Sequence, residues 1–318
     1  MNQSVIARRQ GRIGRITLNR PRALNALDVS MIHAVDAALQ EWRDDPAIHL
    51  VVIEGEGERA FCAGGDVRTL REDVLEGREE IVDAFFVHEY ALNRAIARYP
   101  KPYVALIDGI WMGGGFGLAV HGSARVVSEH SKFAMPEAKL GLFPDVGASF
   151  VLPRLRGHYG LYLGLTGAKL GGADAVWVGL ATHFVPRAAM AGLADALADE
   201  GIAALAAHAE RPPVGELPAL EGRVREIFAA DSLAGVVAGL EACGDAWAQA
   251  SLAEIHAASP AALATTFDLL RAGAGRTLEQ CQRAELLQTR ISTRHPDFAE
   301  GVRAMVVDKD RAPRWAAA

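Results

Sequence analysis

Tyr103-Val104-Ala105-Leu106-Ile107, closed by Asp108-Gly109, leads through Ile110-Trp111-Met112 into Gly113-Gly114-Gly115-Phe116-Gly117. The apolar run reads as a strand, the Asp-Gly pair as a turn, and the glycines as the entry to a helix. Three consecutive glycines let the backbone approach a ligand where any Cβ would collide. The first N–H groups of a helix have no partner within it. Such an entry therefore suits an anion, or an oxygen that becomes one during reaction. Two carboxylates follow, one in Pro136-Glu137 and one in Phe143-Pro144-Asp145-Val146-Gly147. Oxyanion donors together with carboxylates point to acyl chemistry. Plain structural turns are the alternative reading of the glycines. A nucleotide loop is disfavoured, because there is no G-x-G-x-x-G and no Gly-Lys-Ser/Thr.

A second stretch has the same form. Leu50-Val51-Val52-Ile53 reads as a buried strand, followed by a turn over Glu54–Glu58 and then Phe61-Cys62-Ala63-Gly64-Gly65-Asp66. Two separate turns can each donate one N–H to a single carbonyl oxygen, which is what an oxyanion hole requires.

Phe61–Asp66 and Asp108–Gly117 together resemble the crotonase superfamily, the enoyl-CoA hydratase/isomerase fold. The opening Gly14–Leu27 resembles that family's first strands and its CoA-adenine loop. Phe133–Glu137, Gly141–Gly147 and the tail Asp297–Ala304 with Asp308-Lys309-Asp310 are most similar to its 3-hydroxyisobutyryl-CoA hydrolase branch. The likeness runs nearly end to end and is weakest across Ala188–Ala250. It implies an α/β chain of the ClpP/crotonase-like fold, with repeated ββα units in two roughly perpendicular sheets and a helical C-terminal region. The expected division is an acyl-CoA-binding core over residues 1–195 and helices over 196–318.

The resemblance also implies roles. Backbone amides of Gly65 and Gly114 would hold the thioester oxygen. Glu137 matches the second of the two glutamates used by hydratases, while the first would fall at Gly117 and is absent. Adding water across a double bond needs two positioned acid–base groups. One glutamate suits hydrolysis or isomerisation instead. Asp145 stands where hydratases have a small residue and the hydroxyacyl-CoA hydrolases have aspartate. It could accept a hydrogen bond from a substrate hydroxyl or hold the attacking water; a turn aspartate is the alternative. Arg22, Ala23 and Leu24 lie in the adenine loop, and Ala63, Gly113 and Pro136 complete the expected substrate-binding set. Asp66 belongs to that set or simply caps the next helix.

Glu89 is found by periodicity. It interrupts the helical face Phe85, Phe86, Leu92 and Ile96, where a carboxylate must find a partner or line a pocket. The resemblance supports the pocket through Glu89–Asn93. His88 and His121 have no Ser or Cys nucleophile in a triad-like setting and read as structural.

Composition bounds the rest. The 318 residues are 50% hydrophobic and 23% charged, an ordinary globular balance. A net charge of −6 argues against nucleic-acid binding. No stretch of 18 or more apolar residues predicts a membrane span, and the arginine-bearing N-terminus lacks the apolar segment of a secretory signal. Cys62, Cys243 and Cys281 form neither metal spacing nor a disulfide set, so a reducing cytoplasm is the simplest expectation. No metal or separate cofactor is expected, coenzyme A being part of the substrate. A homo-oligomer, trimer or hexamer, is implied by the resemblance alone. The function expected is therefore acyl-CoA thioester hydrolysis of the valine-catabolism type. A single-carboxylate isomerase is one alternative, and a CoA-binding protein without activity is another.

Overall fold

Met31, Val35, Ala38, Leu39 and Trp42 recur at helical spacing, and all are buried on one side of α1 (Val29–Arg43). The Asp28 side chain caps this helix, accepting from the Met31 amide at 2.9 Å. This helix connects β2 (Ile13–Leu18) to β3 (Leu50–Gly55), which pair in parallel as a helical crossover permits. Gly14 admits Trp42, since a Cβ there would enter the indole ring.

The computed structural model describes residues 4–316. β1 (Val5–Gln10) forms an antiparallel hairpin with β2. β4 (Ala60–Cys62) follows β3; next come helices α2 (Val67–Leu75) and α3 (Glu79–Ala97), then β5 (Tyr103–Ile107) and β6 (Ile110–Met112). The glycine cluster opens α4 (Gly114–Val120), followed by β7 (Ala124–Val127), β8 (Lys132–Ala134), β9 (Leu170–Gly171) and β10 (His183–Phe184). Six strands form one sheet in the order β1-β2-β3-β5-β7-β10, and four form another in the order β4-β6-β8-β9. β9 and β10 have two residues each, too short to carry an alternating pattern.

Two compact units emerge, each assembled from three pieces of chain. The first comprises the chain up to Gly65, His88–Phe133 and Leu170–Glu216. The helix Arg187–Glu200 packs on one face of its larger sheet, with Leu193 and Leu197 against Leu50, Val52, Val104 and Val126. Inner strands buried on both faces account for their unbroken apolar runs. The second unit comprises Asp66–Val87, Ala134–Lys169 and the chain from Leu217 onward. Compactness thus divides the chain differently from a cut at residue 195. Asp66–Val87 joins the C-terminal helices through contacts between residues more than 200 positions apart: Arg71 Nε donates to the Ala299 carbonyl at 2.8 Å, and Arg294 pairs with Glu79 and Asp83.

Ser259 caps the helix Pro260–Gly273, accepting from the Ala262 amide, with Pro260 in the first turn and Leu263, Phe267 and Leu270 buried. The segment Arg211–Gly215, with two consecutive prolines, separates the helix Ala204–His208 from the 3-10 turn Leu217–Leu220.

Candidate active site

In the first unit the two glycine turns meet. The Arg20–Leu27 loop is folded on Asn25, whose side chain accepts from the Arg20 amide at 2.9 Å and donates to the Ala60 carbonyl at 2.9 Å. Leu24 and Asn25 adopt left-handed conformations, with φ of 52° and 55°. The Ala63 amide donates to the Leu24 carbonyl at 3.0 Å, and the Leu27 amide to the Gly64 carbonyl at 2.8 Å. The predicted adenine loop, with Arg22 and Ala23 exposed, is therefore joined directly to the Ala63–Gly65 turn.

Gly113, at φ 47° and ψ −122°, precedes the wholly buried helix α4. A Cβ added at Gly114 would lie 3.5 Å from the Gly65 nitrogen and 2.9 Å from Leu27 Cδ1, and closer still to Glu89 Oε1. This juxtaposition brings the Gly65 amide, Gly114 and the Glu89 carboxylate to one point. The Gly114 amide opens a helix and the Gly65 amide is not used by its bridge to Leu27. Among the described residues neither donates to a backbone carbonyl. At Gly115 a side chain would run into the Cys62 carbonyl.

Glu89 is buried, and one turn along α3 lies Asn93, fully buried, with neither amide atom partnered among the described residues. Cys62 is nearby but is no ready nucleophile, for burial pushes its thiol up to about 12, with Glu89 adding in the same direction. His88 is exposed and packs edge-on against His33 at 4.6 Å, a surface pair. His121 ends α4.

The second unit carries the other carboxylates. Pro136 turns the chain into the 3-10 segment Glu137–Leu140. Glu137 is 6% exposed, with Oε2 unpartnered among the described residues. Burial, reinforced by the negative charge of Asp145, holds its carboxyl well above the ordinary range. Asp145 is 7% exposed and begins a turn through Val146 at φ 53° and Gly147 at φ 87°. Asp66 stands at the N-cap position of α2, but its side chain makes no capping bond.

One buried group was not legible beforehand. Glu285, on the helix Leu278–Arg294, accepts from the Gly147 amide at 2.7 Å and from the amide and hydroxyl of Ser149 at 2.9 and 2.5 Å. The buried face of its helix is polar (Gln282, Glu285, Thr289, Ser292), which an apolar pattern does not reveal.

The raised Glu137 has a consequence for stability. A carboxyl with a raised folded-state pKa contributes stability that is full below its ordinary value of 4.5 and is lost as pH rises through the raised one. Glu137→Gln keeps the shape without ionising. Its Tm should exceed that of the wild type by a margin that widens from about pH 5 to about pH 8. A constant difference across that range would show that the carboxyl ionises as readily folded as unfolded.

Paired glycine amides within this two-sheet α/β architecture define a protein of the crotonase fold. A model of the enoyl-CoA hydratase/isomerase family matches residues 13–318, and the chain belongs to that family. It is 40% identical to the mitochondrial 3-hydroxyisobutyryl-CoA hydrolase of Homo sapiens, over 98% of this chain and 84% of that protein. The corresponding hydrolase of Gallus gallus is 42% identical over the same shares. Among solved structures, an enoyl-CoA hydratase from Rhodobacter sphaeroides superposes with a TM-score of 0.94 at 42% identity, covering 99% of this chain and 93% of that one. A carnitinyl-CoA dehydratase from Mycobacterium thermoresistibile also gives 0.94, at 38% identity, covering 99% and 92%.

The cytoplasmic expectation is corrected by these findings, since the curated relatives are named as mitochondrial enzymes. Free cysteines distinguish reducing from oxidising surroundings, and no more than that. Among the described residues no helix is long and apolar enough to cross a membrane.

Proposed function

We propose that this chain hydrolyses acyl-CoA thioesters, with 3-hydroxyisobutyryl-CoA or a close hydroxyacyl analogue as substrate. The relatives matched over nearly the whole chain support hydrolysis, whereas the two solved neighbours are titled hydratase and dehydratase. The observation that carries the choice is Gly117, which has no side chain where a hydratase needs its first glutamate. A single glutamate, Glu137, leaves hydration without its second acid–base group.

In this reading the thioester oxygen accepts from the Gly65 and Gly114 amides, which are aimed before the charge develops. Glu137 takes a proton from the water that attacks the thioester carbon, or attacks that carbon itself to form an anhydride that water then cleaves; in either route the C–S bond breaks and coenzyme A leaves as the thiolate, which takes up a proton. Asp145 and Glu89 orient the hydroxyacyl end or the water. The Arg22–Leu24 loop, with Ala63, Gly113, Pro136 and Asp66, receives the rest of the thioester, and coenzyme A enters as part of the substrate rather than as a resident cofactor. Homo-oligomerisation is part of the same proposal.

The test supplies crotonyl-CoA and 3-hydroxyisobutyryl-CoA separately. Thiol should be released from the second, with the enoyl absorbance of the first preserved. Rapid loss of that absorbance without thiol would favour a hydratase and overturn the reading.

Asp145 makes a further prediction. If it accepts the substrate hydroxyl, wild type should prefer 3-hydroxyisobutyryl-CoA to isobutyryl-CoA, because a site built for a hydroxyl is left with an unpaired group when the hydroxyl is missing. Asp145→Ala should then narrow the ratio of the two kcat/KM values. An equal loss on both substrates would assign Asp145 to the water instead. No loss on either would leave it a turn residue.

A further inference from the structure

We propose that Glu285 is a positioning residue: from the helix Leu278–Arg294 it holds the Val146-Gly147 turn and so sets where the Asp145 carboxylate stands. The proposal rests on the reading above, in which Asp145 serves the substrate or the water.

Three observations carry it. Glu285 is fully buried, and its two oxygens take three donors from one turn, the Gly147 amide and the amide and hydroxyl of Ser149. A buried carboxylate is tolerable only with such partners. The turn itself is unusual, since Val146, a β-branched residue, is held at φ 53°. Strain of this kind persists only where the surroundings over-determine it, and it gathers at functional positions. The same turn is closed on its other sides. The Ala148 amide donates to the Asp145 carbonyl at 2.8 Å, and a Cβ at Gly273 would strike the Ser149 carbonyl. A clamp on the amides of Gly147 and Ser149, with the Ala148 amide between them turned back to the Asp145 carbonyl, specifies that aspartate's position.

Glu285→Gln retains size and one acceptor but turns an N–H donor toward one of the donors it held. If Glu285 acts through Asp145, kcat/KM for 3-hydroxyisobutyryl-CoA should fall roughly 10–100-fold, the order expected for a displacement of about 1 Å. In an Asp145→Ala background the same change should cost almost nothing, so the double variant should match Asp145→Ala alone. A merely structural role would lower Tm and multiply the two penalties. Ser149→Ala removes one donor and leaves the carboxylate in place. It should show a smaller loss, about tenfold or less, that also vanishes in the Asp145→Ala background. This variant carries the test if Glu285→Gln does not fold. Multiplicative penalties for a folded variant overturn the proposal alone. A wild-type enzyme that releases no thiol overturns the reading on which it rests, and the proposal with it.

Discussion

Glu137→Gln is expected to lower kcat for thiol release roughly 10²–10⁴-fold, the usual worth of a positioned proton acceptor, while KM for the thioester changes little. The carboxyl is buried, one of its oxygens is unpartnered among the described residues, and burial with the nearby Asp145 charge makes its ionised form costly. A raised carboxyl pKa brings a base closer to working pH, where its basicity and its ionised fraction are better balanced. Either role for Glu137, base or nucleophile, needs the charged form. Wild-type kcat/KM should therefore rise with pH through the raised value and then level off. The Gln variant should lose that limb together with its rate. Near-normal turnover in Glu137→Gln would remove Glu137 from the chemistry. Isotopic oxygen from labelled water, found in the Glu137 side chain after a single turnover, would identify the anhydride route over general-base attack.

At Gly114 the second large effect is expected, and it is separable into two parts. Both Gly114→Ala and Gly114→Pro add a Cβ that crowds Leu27 and the buried Glu89 carboxylate. Only proline also deletes the amide N–H. At the first helical position its ring is otherwise tolerated, which keeps α4 intact. The extra loss in kcat of Gly114→Pro over Gly114→Ala should thus report the oxyanion donor, about 10²–10³-fold. Circular dichroism of both variants would verify the fold. Equal activities in the two would show that the Gly114 amide contacts nothing that develops charge.

Names among related proteins do not by themselves distinguish hydrolase from hydratase, because the same fold supports both chemistries. In the proposed reading the discriminating features are single positions: Gly117, which offers no carboxylate, and Asp145, which does. A pocket that differs by a methylene discriminates by only about 1–3 kcal/mol, so the acyl chain must be found by assay over a panel of thioesters.

Much of the fold was legible locally. The apolar runs at Leu50–Ile53 and Tyr103–Ile107, the helical stripe from Met31 to Trp42, and the Ser259-Pro260 start signal each correspond to an element at that place. These are short-range effects, set by side-chain period, capping and turn chemistry. Both glycine turns were legible for the same reason, as was Glu89, a carboxylate interrupting an apolar stripe. Only the tertiary structure brought Gly65 beside Gly114, because that proximity is made by pairing between distant turns. It alone drew Asp66–Val87 into the unit of the C-terminal helices, through ion pairs from Arg294 that no local pattern encodes. Glu285 is the clearest case. Its helix exposes Leu287 and Ile291 and buries Glu285 and Thr289, the reverse of the usual amphipathic order. Periodicity assumes that apolar groups go inward; here hydrogen-bond donors from a strained turn 136 to 138 residues earlier make the polar face the buried one.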